Sequence, residues 1–236
     1  MAQQNVGVAE AVAGCPKIAG FNNAASHAQL IEGLIPDCVV AVTGENFGTE
    51  SASFDPPVNE AFGIYLSFST GDRFSIYSIT PKEIVCVIPG TIAAPQPFIL
   101  ELHAPQQGPV PCPTVVLKGR TATTAPGLFT KDGTAHGRGL FYTYPDGYEQ
   151  PLPPGDNLQP TMVQVYGTGL RHARRLPEAF MDGAALTVTA CEADTTRPGY
   201  DRLIFLLLAP GLAPGLHRFK VAADGKTSNE VEVEVK

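Results

Sequence analysis

The stretch Val40-Ala41-Val42-Thr43-Gly44-Glu45-Asn46-Phe47-Gly48 reads as a strand with two valines of one parity that ends at a glycine, and it returns as Val163-Gln164-Val165-Tyr166-Gly167-Thr168-Gly169-Leu170. In an extended chain successive side chains point to opposite faces, so both valine pairs are expected to fill a core. Two more matches follow in the same order and at nearly the same spacing. Ile88-Pro89-Gly90, Ala94-Pro95 and Phe98 to Leu102 correspond to Ala209-Pro210-Gly211, Ala213-Pro214 and His217 to Val221, and the closing strand Thr114 to Lys118 corresponds to Glu230 to Val235. Ordered matches of this kind argue for two copies of one domain.

Composition agrees. The chain has 236 residues with 24 glycines and 22 prolines, and only 17% of it is charged, below the roughly 25% of ordinary soluble domains. Alternating apolar runs are punctuated by Thr70-Gly71-Asp72, Asp146-Gly147, Asp182-Gly183 and Asp224-Gly225, which is the spacing of short strands in a sandwich. The expected fold is therefore all-β, two tandem immunoglobulin-like β-sandwich domains. An N-terminal extension covers residues 1–19, the first sandwich 20–119 and the second 120–236. The small polar run Gly119 to Pro126 serves as linker, and the second copy gains a hairpin from Gly127 to Thr130 and Gly139 to Tyr144. Helical signals are short: Ser26 with Gln29 has capping-box spacing, and Pro177 to Met181 is expected to form a turn.

A net charge of -7 and a pI near 5.2 oppose a phosphate-backbone or anionic-lipid partner. The basic cluster Arg171, His172, Arg174 and Arg175 is read as solvated surface. No apolar run reaches membrane-spanning length, so no transmembrane segment is expected. Met1-Ala2-Gln3-Gln4 has neither a charged n-region nor an apolar h-region, so the expectation is a cytosolic chain or one whose leader has been replaced.

Five cysteines occur without C-x-x-C spacing, and their odd number leaves at least one thiol. Cys38 shares parity with Val40 and Val42, and Cys86 with Ile84 and Ile88, so both point into the first core. A bridge between them requires Cα atoms about 4.4–6.8 Å apart. Cys15 and Cys112, each followed by proline, flank the first domain and form the preferred pair, with Cys191 as the remaining thiol.

No Gly-x-Ser-x-Gly elbow and no His-Glu-x-x-His motif is present, and the five histidines lie in separate segments. Asp132 and His136 sit four apart in a glycine-rich loop, read as a hairpin turn rather than a proton-transfer pair. With no tryptophan in the chain, Tyr142, Tyr144 and Tyr148 around the Pro145-Asp146-Gly147 turn are the candidate partner-binding residues, and Phe141 is assigned to the core. No catalytic residue, metal or cofactor is expected.

Asn22 to Ser26, Thr43 to Gly48, Ser78-Ile79-Thr80-Pro81 leading to Ile88-Pro89-Gly90, and Ala125 to Gly139 together resemble a bacterial family of secreted proteins. It is the uncharacterised C-terminal domain abundant in Solibacter-type acidobacteria, whose halves are similar to the IPT/TIG branch of immunoglobulin-like folds. The resemblance implies a secreted or cell-surface location and a non-catalytic module, and it transfers no binding residues. This chain carries more cysteines than that pattern. The function expected is an adhesion or binding module for a protein or glycan partner. The alternative is a self-assembling surface or filament subunit that exchanges its N-terminal segment as a strand. A hydrolase is the remaining, motif-less reading.

Overall fold

A computed structural model describes residues 14–105, 112–155, 159–208 and 212–236. The chain divides into two compact units. Unit 1 contains Gln29–Thr123 together with the segment ending at Asn22, and unit 2 contains Asn23–Ala28 with Thr124–Lys236. The described residues hold strands and turns and no helix.

In unit 1 the strands are β1 (Lys17–Asn23, whose last residue is counted with unit 2), β2 (Val39–Glu45), β3 (Ala52–Val58), β4 (Tyr65–Phe68), β5 (Ser75–Ile79), β6 (Glu83–Val87), β7 (Pro97–His103) and β8 (Val115–Arg120). They form one sheet in the order β1-β2-β6-β5-β3 and another in the order β4-β7-β8. Apart from β3, that is the four-plus-three arrangement of an immunoglobulin-type sandwich, first-second-fifth-fourth strand against third-sixth-seventh. Val40 and Val42 on β2, Ile84 and Cys86 on β6, and Leu66, Phe68, Leu100 and Leu102 on the other sheet are all buried, as their parity requires.

Unit 2 comprises β9 (Gly127–Leu128), β10 (Phe141–Thr143), β11 (Thr161–Thr168), β12 (Glu178–Met181), β13 (Ala184–Ala193), β14 (Asp201–Leu207), β15 (Gly215–Ala223), β16 (Lys226–Thr227) and β17 (Val231–Val235). The order β10-β11-β14-β13 repeats the larger sheet of unit 1, and β12-β15-β17 repeats the smaller, with β13 also pairing β12. The core holds Val163, Val165, Leu203 and Val233 around Phe141, Phe205 and Phe219. The Phe141 and Phe205 rings lie 5.0 and 5.1 Å from Phe219. Pro177–Met181 is not a helical turn. Glu178–Met181 is a strand held on both sides, by β13 and β15, and pairing on both edges outweighs a weak local signal.

The first strand of unit 2 is split. Gly127 and Leu128 pair with Thr168 and Gly167, and Phe141 to Thr143 pair with Val165 to Val163, in one continuous antiparallel sense along β11. Tyr166 joins the two pieces: its carbonyl accepts from Phe129 N–H and its N–H donates to the Leu140 carbonyl. Residues 129–140 are thus an excursion from within a strand, folded back on itself through the Thr130–Gly139 bridge.

The repeated glycine of the opening motif follows from this packing. A Cβ on Gly44 would collide with the Lys17 carbonyl oxygen of β1, and one on Gly167 would lie 2.5 Å from the Gly127 carbonyl oxygen of β9. In both copies the second strand needs a bare backbone where the first crosses it.

Candidate functional site

Unit 1 contains a disulfide between Cys15 and Cys112, with Cα atoms 5.4 Å apart. The structure departs from the second candidate bridge, because Cys38 and Cys86 are buried thiols. Cys86 lies opposite Val40 in the ladder, so the two sulfur-bearing residues are diagonal neighbours rather than facing ones. Burial, reinforced by the charge Cys38 would carry, pushes the Cys86 thiol up. Cys191, packed against the core of unit 2, is also a thiol and is pushed up to about 12 by burial and then by Asp201. Both are protonated and unreactive near neutral pH.

Asp132 and His136, and the carboxylates Asp182 and Glu192, are separately engaged. Asp132 accepts from the N–H and hydroxyl of Thr134, while His136 Nδ1 lies 3.4 Å from the Glu230 carbonyl. Asp182 pairs with His217 at 2.6 Å, and Glu192 pairs with Arg202 at 2.6 Å. Among the described residues no group of three or more His, Cys, Asp or Glu is placed to hold a metal ion, and no helix is long and apolar enough to cross a membrane. In unit 1 a cavity of about 320 Å³ is lined by Gly48, Thr49, Glu50, Phe62, Ile64 and Pro105.

The basic cluster is not uniformly solvated. Arg171 is mostly buried and reaches Asp201 at 3.3 Å, and Asp201 also accepts from the N–H groups of Leu170 (2.7 Å) and Arg171 (3.3 Å). Asp201 is 1% exposed, and burial pushes its carboxyl up to about 6, although Arg171 and the two N–H groups pull it down. This is a tie between β14 and the turn after β11.

The three tyrosines of the turn have different surroundings. Tyr148 is 70% exposed, whereas Tyr142 and Tyr144 are half-buried and Phe141 is fully buried. Thr143 holds the turn by donating N–H to the Tyr148 carbonyl and accepting Tyr148 N–H at its hydroxyl.

Tyr142 leads to a larger cluster. On the side of the β10-β11-β14-β13 sheet away from its core, Tyr142 packs edge-on to Tyr166 at 5.6 Å, and Tyr166 edge-on to Tyr200 at 6.5 Å. Phe129 stacks on Tyr200 at 4.1 Å. Arg197 lies over Tyr166 at 4.4 Å and Tyr200 at 5.3 Å. Asp194 sets its position by accepting from Thr196 N–H and Arg197 N–H. Burial, then the Asp194 charge, raises the Tyr166 phenol, which is neutral at physiological pH. Beside it Arg202 joins β14 to Glu192 on β13. Cross-strand register assembles this patch from residues far apart in sequence. The one local signal is Tyr166 itself, an aromatic at the outward parity of a strand whose valines face inward.

This topology defines tandem immunoglobulin-like sandwiches. No model of a known protein family matches the chain, and no curated protein matches it. Among solved structures it is similar to SGBP-B of the Bacteroides ovatus mixed-linkage glucan utilization locus, in complex with a mixed-linkage heptasaccharide, at 14% identity and a TM-score of 0.29, covering 94% of this chain and 47% of that one. It is similar to the BSP domain of a biofilm-associated protein at 14% identity and a TM-score of 0.28, covering 86% and 28%. The titin tandem A168–A169 gives 10% identity and a TM-score of 0.28, covering 94% and 98%. The chain spans about half the length of the first of these and under a third of the second. Likenesses at this level carry no functional argument.

Proposed function

We propose that this chain is a non-catalytic binding module of a secreted or cell-surface protein, and that unit 2 meets a protein partner through the half-buried Phe129, Tyr142, Tyr200 and Arg197, which pack around the buried Tyr166. The observation behind this reading is the concentration of tyrosine and arginine on the side of the β10-β11-β14-β13 sheet away from its core, with Phe129, Tyr142, Tyr200 and Arg197 partly exposed. These are the residue types in which binding energy concentrates at protein interfaces. The cluster favours a protein over a sugar. Arg197 covers one face of Tyr166 and Phe129 covers one face of Tyr200, so the patch offers ring edges and a guanidinium rather than open ring planes. Tyr148, exposed on the turn that follows β10, is a further candidate contact. The motif resemblance to the acidobacterial family supports the extracellular assignment, as does the Cys15–Cys112 bridge, a bond typical of oxidising compartments.

The test is cross-linking capture from the source organism's surface fraction with the wild-type chain, the double variant R197A/Y200A and the single variant Y148A. Loss of the captured protein with R197A/Y200A, in a variant whose circular dichroism is unchanged, supports the patch. Capture that is identical for all three chains removes it, and glycan-array binding abolished by Y148A alone would assign the surface to a sugar instead. The alternative reading, a self-assembling subunit that exchanges its N-terminal extension of residues 1–19, falls on a segment whose residues 1–13 lie outside the described residues.

A further inference from the structure

The closing strands of the two units carry opposite edges. β17 is sealed: Glu232 N–H donates to the Gly137 carbonyl, Gly139 N–H to the Glu232 carbonyl, Glu234 N–H to Gln150 Oε1, and Leu152 N–H to the Glu234 carbonyl. Among the described residues β8 is sealed only at its last residue, where the Arg120 carbonyl accepts from Leu34 N–H. Outward groups alternate along a strand, and Arg120 is opposite Pro97, which has no N–H to give. Lys118 and Val116 therefore also point their N–H and C=O away from β7, and among the described residues nothing meets those four groups. Val116 is 47% exposed, and Val115 and Leu117, on the core side, are only half-buried. Such an edge is a template for another strand.

Charge and parity state what that strand must be. The segment sealing β17 brings Arg138 to within 2.8 Å of Glu234, a cation for an acidic edge. The equivalent positions on β8 are Lys118 and Arg120, so the complementary segment carries carboxylates on its solvent side. Its other parity continues the row of Val115 and Leu117 and must be apolar. The existing seals run parallel to the closing strand, as in the Leu34–Thr121 and Arg138–Glu232 bridges.

The geometry points to β8 as an acceptor edge for an extended peptide segment of alternating apolar and acidic residues, laid parallel along Val115–Lys118. Recognition is main-chain pairing with Val116 and Lys118, and selectivity comes from Lys118 and Arg120. This surface is independent of the aromatic patch of unit 2.

The test uses the full chain and two synthetic peptides, one alternating valine with glutamate and one alternating valine with lysine, followed by amide hydrogen exchange. The valine–glutamate peptide is expected to slow exchange at Val116 and Lys118 by about tenfold or more, and the valine–lysine peptide to leave it unchanged. V116P removes an outward N–H without touching the bonds to β7 and is expected to abolish the effect. K118E/R120E leaves the backbone intact, is expected to invert the preference between the peptides, and decides the matter if V116P fails to fold. No protection by either peptide, equal protection by both, or an unchanged preference in K118E/R120E would overturn the proposal. So would β8 amides already protected in a wild-type chain that sediments as a dimer, because the occupant is then a second copy.

Discussion

Unit 1 and unit 2 share a strand order but hold their ends differently. Unit 1 fastens its periphery covalently, through Cys15 and Cys112, and among the described residues leaves β8 mostly open. Unit 2 has no disulfide among its described residues and closes itself with hydrogen bonds. Its first strand detours through residues 129–140 to cover β17, and Asn229 ties β9 to the same region through Leu128 N–H, the Leu128 carbonyl and the Ala135 carbonyl. The same sandwich is thus completed once by a cross-link and once by an insertion. The units should consequently respond to different perturbations.

The largest expected effect separates them by redox. Replacing Cys15 and Cys112 by serine opens a loop with a sequence separation of 97, which in the chain-entropy account removes about 4–5 kcal/mol, within the roughly 2–5 kcal/mol seen for native bridges. Urea melts followed by exchange at residues of each unit should show unit 1 losing stability and unit 2 unchanged. Equal losses in both would mean that the bridge is not specific to unit 1.

Next comes pH, which should act on unit 2 through Asp201. Its carboxyl titrates near 6 in the folded chain against 3.8 for the unperturbed group, so between those values the folded state binds more protons than the unfolded one. Stability is therefore highest below pH 4 as far as this residue is concerned and falls as pH rises through 6, by at most ~3 kcal/mol. The profile of wild type minus D201N should show that fall, and a flat difference profile would contradict it.

The shared glycines should give smaller and parallel effects. G44A and G167A each force a methyl group against a backbone carbonyl and are expected to cost ~1–3 kcal/mol in the unit that carries them. A neutral result at either position would show that the first strand crosses the second differently there.

The smallest effect concerns His217 and Asp182. Burial alone pulls the His217 imidazole down, but the Asp182 hydrogen bond, the Ala213 carbonyl and the Asp182 charge together raise it. The Asp182 carboxyl is held low by the Arg218 N–H and then by His217. The imidazole's contribution is complete below its ordinary value near 6.5 and is lost as pH rises through the raised one. The carboxylate's is present above its ordinary value of 3.8 and lost as pH falls through the lowered one. H217Q should flatten a shallow maximum between those limits in the melting temperature of unit 2.

Much of this comparison was legible in the residues, and the rest was hidden for definite reasons. The Val-x-Val-x-Gly motif located β2 and β11 because alternation is a local property, and the glycine marked a crossing that recurs in both copies. The cysteines were harder. Parity placed Cys38 and Cys86 in the core correctly, but parity cannot distinguish a facing pair from a diagonal one. The excursion 129–140 read as an added hairpin because nothing in its sequence shows that Leu128 and Phe141 belong to one strand; only their shared partner β11 does. The pairing of Arg171 with Asp201 and the meeting of Phe129, Tyr142, Tyr166 and Tyr200 depend on register between strands, which sequence periodicity does not encode.

The cross-link also governs how the chain carries mechanical load. A pull applied at Gly14 and at Lys236 enters unit 1 at Cys15, crosses to Cys112 and leaves along β8, so β1 to β7 lie off the load path. The enclosed chain would otherwise release about 320–350 Å of length on unravelling. Under oxidising conditions that length is locked away and tension falls on β8 and unit 2. Reduction makes the whole of unit 1 extensible, so one bond decides whether the first sandwich is a rigid link or a spring.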